Sequence, residues 1–143
     1  MSDAGITCEG RLESLAPLLA YVGRVSDDAG LRSEDAFAVR LAVEEVCTNV
    51  ITHGYGDRAQ GPLSVRARRD PEAFVVTIED RAPTFDPADA PAADLASDWQ
   101  TRPLGGVGWH LVRELMDEVR YEPVPGGNRV TLIRNLPGDG GSS

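Results

Sequence analysis

The sequence predicts an α+β domain, a two-layer sandwich with a mixed, mostly antiparallel sheet covered by helices on one face. Three observations predict it. Two long segments near the N-terminus, 13–29 and 33–54, repeat apolar residues at helical spacing. Two pairs of β-rich runs, within 63–80 and 119–135, flank turn residues as hairpins do. Between the hairpins lies a proline- and aspartate-rich stretch, followed by one short helical pattern, so the order is β-α-α-β-β-loop-α-β-β.

Ile6 to Arg11 reads as a short first strand. In the first helix, Leu12, Leu15, Leu18, Leu19, Val22 and Val25 recur at helical spacing, and Gly30 is placed to stop it in the left-handed conformation. Ser33 reads as the N-cap of the second helix, with Glu34 and Asp35 in the first turn, where the dipole favours acids. Leu63 to Arg69 alternates strictly, Asp70-Pro71-Glu72 is turn chemistry, and Phe74 to Asp80 is β-rich. Residues 82–104 carry Pro83, Pro87, Pro91 and Pro103 with few large apolar groups, the composition of a functional lid. Gly105-Gly106-Val107-Gly108 then opens a third helix running through Met116. The second hairpin pairs Val119–Tyr121 with Arg129–Asn135 around Pro125 to Asn128, and the tail 138–143 reads as disordered. One domain over 1–137 accounts for the chain.

At 143 residues such a domain buries a substantial core, and a formal charge of −9 argues against nucleic acid or an anionic membrane as its main partner. Cys8 and Cys47 stand far apart without metal-ligand spacing, which points to structural thiols in a reducing compartment. The N-terminus lacks a cationic start and an apolar core of the signal-peptide kind. No apolar run approaches the roughly 20 residues needed to span a bilayer. The expectation is a cytoplasmic protein.

The most informative residues interrupt the second helix. At about 100° per residue, Glu45, Asn49 and His53 share one stripe of a helix that is otherwise largely apolar. A carboxylate there is costly unless something compensates it. A carboxylate base, an amide oxygen and an imidazole at successive i, i+4 steps suit a metal–phosphate, although a polar stripe at a helix–helix seam has the same pattern. Arg40 and Glu44 fall on a neighbouring stripe and read as a solvated ion pair. Two further signals follow. Asp80 ends a strand and precedes Arg81-Ala82-Pro83-Thr84-Phe85; it could cap the strand or accept a hydrogen bond from an adenine amino group. Gly105 to Gly108 open a helix, where free backbone N–H groups and the dipole can hold phosphate, although plain helix starts also use glycine.

In this combination and order, the residues resemble the GHKL (Bergerat-fold) ATPases, and more closely the anti-sigma regulatory serine/threonine kinases of bacteria. Glu45 and Asn49 look like the family's N box, Asp80 to Phe85 like its first glycine box, and Gly105 to Leu111 like its second. The resemblance runs from about residue 10 to 136. It implies ATP and Mg²⁺ as cofactors, with Glu45 as general base and Asn49 holding Mg²⁺. It implies Asp80 on the adenine amino group, with Ala82, Phe85 and Thr131 beside the base and Thr131 helping through water. Gly105, Gly106, Val107 and Gly108 would wrap the phosphates, and His53 would touch them or orient Asn49. The implied substrate is a STAS-domain anti-sigma-factor antagonist; a sigma factor and a second copy of the chain are further candidate partners. Two departures stand out: Ala82 replaces the glycine of D-x-G, and Leu104 replaces an arginine that aids the γ-phosphate. The rival reading is a nucleotide-gated module that sequesters a sigma factor or regulator without efficient transfer.

Overall fold

The computed structural model of the chain describes residues 5–55, 61–82 and 110–137, with His53 and Gly54 as backbone only. Residues 83–104 of the 82–104 lid, the glycine run 105–108 and the tail 138–143 lie outside the described residues. The elements are β1 (Ile6–Glu9), a 3₁₀ turn (Leu12–Ser14), α1 (Leu15–Asp28), α2 (Ser33–Asn49), a π turn (Val50–Tyr55), β2 (Pro62–Asp70), β3 (Ala73–Asp80), a helical segment at 110–115, β4 (Glu118–Val124) and β5 (Gly127–Asn135).

The strands lie in the order β1-β2-β3-β5-β4, and every neighbouring pair is antiparallel. Among the described residues the sheet is therefore wholly antiparallel rather than mixed. Strand alternation fixes its two faces. Leu63, Val65 and Ala67 of β2, Phe74, Val76 and Ile78 of β3, and Val130 and Leu132 of β5 join Leu18, Val22, Val39, Val43 and Val46 of the helices in one core. The opposite face is polar: Thr7 bonds Ser64 at 2.8 Å, and Arg129 bridges Glu79 (2.7 Å) and Glu122 (2.8 Å).

The helix ends obey local rules, with one exception. Gly30 takes φ +74°, its N–H donates to Asp27 O, and Leu31 N–H donates to Ser26 O, which is a Schellman stop. Arg69 adds a 2.7 Å bond to the Ala29 carbonyl, tying the end of α1 to β2. Beyond the first β1 pair, Ile6 with Val65, the Tyr21 hydroxyl accepts the Ala67 N–H of β2 at 2.9 Å. Ser33 is not the cap of α2. It is the first helical residue, and Arg32, with extended backbone, is the N-cap, its carbonyl accepting from Ala36 N–H. The reason is Asp35, which is pulled inward in the first turn. Its carboxylate is 2% exposed and accepts from Arg134 Nε (2.7 Å) and Arg32 Nε (3.1 Å). Arg134 Nη1 also donates to Leu115 O, so one guanidinium joins α2, β5 and the end of the 110–115 helix. Removing one partner of such a pair strands a buried charge. Arg134→Met is expected to cost about 3 kcal/mol or more in chemical denaturation.

The turn of the second hairpin is set by Pro125 and Gly126. Val124 pairs with Gly127, and Gly126 has φ +80°, the i+2 requirement of a type II turn that proline at i+1 favours. No helix of the described residues is long and apolar enough to cross a membrane.

Candidate functional site

The site forms where α2 runs out beside the end of β3. Helix α2 does not stop at Gly54 as a regular helix: after Asn49 the ladder widens into the π turn, and Thr52 bonds back to the Thr48 carbonyl at 2.8 Å. Glu45 and Asn49 share one stripe, at the margin between the buried and exposed faces of α2. Glu45 is half-buried, and burial pushes its carboxyl above the usual range, with the neighbouring Glu44 charge adding to the effect. Glu44 is half-buried too, and Arg40 is exposed without an ion pair to it among the described residues. The solvated Arg40–Glu44 pair expected from spacing is therefore not formed.

Asn49 is 3% exposed, and its Oδ1 has no hydrogen-bond partner among the described residues. An orphaned buried acceptor costs roughly 1–3 kcal/mol. A hard cation accepts such an oxygen as a ligand, so Mg²⁺ fits at this atom. No group of three His, Cys, Asp or Glu that could hold a metal occurs among the described residues. A cation at Asn49 would thus draw its other ligands from water and a bound phosphate. His53 belongs to the π turn, but its side chain lies outside the described residues, as do Phe85 and Gly105 to Gly108.

Asp80, the last residue of β3, is 6% exposed. Its Oδ1 accepts from the Ala82 N–H and from Asn128 Nδ2, both at 2.8 Å. Burial raises the Asp80 carboxyl above its ordinary range, and these two donors oppose that shift. Its Oδ2 has no donor among the described residues. Ala82 is 2% exposed, its methyl part of the core, and its N–H closes an Asx turn on Asp80. Cys47, two residues before Asn49, is near enough to feel the Asp80 charge. Burial first, then Asp80, pushes its thiol up to about 12, leaving it an inert apolar filler.

Thr131 does not join this group. It pairs with Thr77, three residues along β5 from the Asn128–Asp80 pair, and an odd offset puts it on the open face of the sheet. Asn128 holds the position instead, and its orientation is fixed because the Tyr121 hydroxyl donates to Oδ1 while Nδ2 donates to Asp80. Sequence spacing carries no sign of Asn128, since its partner is 48 residues away. Gly127 was equally hidden. A methyl group there would overlap the Asp80 carbonyl oxygen. Gly127→Ala is expected to lose about 3 kcal/mol of stability, or to displace the Asp80 turn, measurable as a lowered Tm.

A model of the histidine kinase-like ATPase domain matches residues 8–134. The chain belongs to that family. It is 30% identical over 120 residues to the serine-protein kinase RsbW of Bacillus velezensis, covering 80% of this chain and 74% of that one. It is 27% identical over 104 residues to the anti-sigma F factor of Clostridium novyi, covering 72% and 73%. Among solved structures, the RsbU and RsbW domains of a Mycobacterium tuberculosis protein share the fold, with a TM-score of 0.64, 16% identity and coverage of 96% of this chain and 34% of that one. A histidine kinase domain from Erythrobacter litoralis superposes with a TM-score of 0.59 at 24% identity, over 87% of this chain and 60% of that one. The α+β architecture with helices on one face is thus the ATPase fold that the motif order implied.

Proposed function

We propose that this chain is an ATP-dependent serine/threonine protein kinase of a bacterial partner-switching system, acting on a STAS-domain anti-sigma-factor antagonist. One observation carries the reading: among the described residues, a half-buried carboxylate and an unpaired buried amide oxygen stand one turn apart on α2, beside a strand-end carboxylate with one oxygen that receives no donor. Two relatives bearing the names serine-protein kinase and anti-sigma F factor support it.

In this reading Asp80 Oδ2 accepts the adenine amino group, and Asn128 and the Ala82 N–H hold the carboxylate in place. Asn49 Oδ1 would hold Mg²⁺, which when bound neutralises phosphate charge. Gly105 to Gly108 would supply backbone N–H groups to the phosphates, as the resemblance implies. Glu45 orients the substrate hydroxyl and takes its proton as the oxygen bonds to the γ-phosphorus and the bond to the ADP leaving oxygen breaks. A raised pKa suits a base working near neutrality better than an ordinary carboxylate does. The partner serine must reach Glu45, so docking uses the surface around it. Tyr55 is excluded from that surface because it is 3% exposed. A sigma factor and a second copy of the chain remain candidate partners, and two free cysteines suit the reducing cytoplasm.

The second reading is a nucleotide-gated module that binds a sigma factor or regulator without efficient transfer, favoured by Leu104 where the resemblance places an arginine. Incubation with γ-labelled ATP, Mg²⁺ and a STAS-domain protein separates the two. Label on the STAS protein, lost with Asn49→Ala and with chelation of Mg²⁺, is the expected result. Tight ATP binding with no transferred label would favour the second reading.

A further inference from the structure

Tyr55 is a tyrosine at the end of the π turn, six residues beyond Asn49 in sequence, and its ring is buried. Its hydroxyl makes two bonds of opposite sense. It donates to the Pro62 carbonyl at 2.6 Å and accepts the Arg81 N–H at 2.7 Å. Arg81 directly follows Asp80 and lies inside the Asx turn that Asp80 closes on Ala82. The ring sits in a slot lined by Gly10 and Gly61, where a methyl on Gly10 would overlap the ring and one on Gly61 would stand 3.0 Å from the hydroxyl. Gly10 N–H in turn bonds Gly61 O at 2.8 Å, which closes the slot around the ring. Burial is also the main reason the phenol is held above its ordinary pKa, so the hydroxyl keeps its proton and its donor role.

Packing alone would need only the ring. The hydroxyl is placed where a single atom fastens the C-terminal end of the Glu45–Asn49 helix to the backbone next to Asp80. We propose that Tyr55 is a positioning residue that sets the spacing between the adenine-recognising carboxylate and the helix bearing the base and the metal oxygen. The π turn brings the tyrosine to this point, a use of the wide turn that matches its occurrence at functional sites. Tyr55 touches neither nucleotide nor substrate in this role; it acts through the Arg81 N–H and hence through the orientation of Asp80.

The inference rests on the ATP-site reading of Asp80, and its test separates the two. ATP and GTP affinities and kcat are measured for wild type, Tyr55→Phe, Gly61→Ala and the distant core variant Val22→Ala. Guanine has a carbonyl at C6, where adenine has the amino donor that Asp80 Oδ2 would accept, so the ATP-to-GTP ratio reports Asp80 placement rather than general stability. Tyr55→Phe keeps the ring and removes both bonds; its ATP affinity should fall about tenfold with GTP affinity nearly unchanged. Gly61→Ala keeps the hydroxyl but crowds it, and should lower the ratio less. Val22→Ala should lower Tm and leave the ratio as in wild type. A wild-type ratio and kcat in Tyr55→Phe would overturn the positioning role, and so would an equal drop in Val22→Ala. A wild type with no preference for adenine would remove the Asp80 reading itself, and the Tyr55 role with it.

Discussion

Asp80→Asn is expected to weaken adenine-nucleotide binding by at least about 100-fold, roughly 3 kcal/mol, while leaving the fold intact. The substitution is close to a single-atom test. Oδ1 survives, so the bonds from the Ala82 N–H and Asn128 Nδ2, both 2.8 Å, can persist. The other oxygen becomes an NH₂ group, which faces the adenine amino group donor to donor. A site built to accept a hydrogen bond loses far more to that inversion than to a lost contact, because both groups are left unpaired in a buried place. Titration calorimetry with ATP and ADP measures it, and wild-type affinity in the variant would remove Asp80 from the site.

The same variant should also be at least as stable as wild type without nucleotide. Burial raises the Asp80 carboxyl above its ordinary range, so the folded protein holds this proton more tightly than the unfolded chain does. Between the ordinary pKa and the raised one, the folded state binds more protons, and stability falls as pH rises. Above that window an ionised Asp80 is a cost carried by the fold. A neutral amide at this position lacks that cost, so the stability gain of the variant should appear as pH climbs through the window and level off above it. Denaturation midpoints at acid and neutral pH check the sign. A buried carboxylate kept against the stability of the fold is better explained by what it binds than by what it packs.

Much of this architecture was legible because its rules are local. The apolar spacing of α1, the glycine stop at Gly30, the Pro71 turn and the Pro125-Gly126 turn are short-range instructions, and each is obeyed. Ser33 misled because a cap preference of about 1 kcal/mol yields to a buried ion pair: Asp35 answers Arg134, 99 residues away. The site divides in the same manner. Glu45 and Asn49 were readable as polar interruptions of an apolar helix, and Asp80 as a carboxylate ending a strand. Asn128, Gly127 and the Tyr55 hydroxyl were not, because their roles exist only once β5 lies beside β3 and the π turn meets β2. Gly10 and Gly61, 51 residues apart in sequence, are the walls that let the Tyr55 ring in.

Glu45→Gln is expected to cut phosphoryl transfer by about 10²–10⁴-fold with nucleotide affinity nearly kept, and Glu44→Gln to be near neutral. Both residues are half-buried neighbours, so exposure does not separate them. Direction does: one step of about 100° puts Glu45 on the Asn49 stripe and Glu44 on the outer face. Glutamine keeps the size of the side chain and one acceptor oxygen but cannot take a proton, so ground-state contacts persist while the transition state loses its base. The pH profile gives an independent reading. Burial and the Glu44 charge push the Glu45 carboxyl up, so the wild-type rate should fall as pH drops through a value above the ordinary carboxylate range. Glu44→Gln removes a repelling charge and should move that inflection to lower pH without lowering the plateau. In Glu45→Gln the residual rate should lose the inflection altogether. Equal losses in the two variants, or an inflection that survives in Glu45→Gln, would take the base away from Glu45 and leave the helix as a purely structural wall of the nucleotide site.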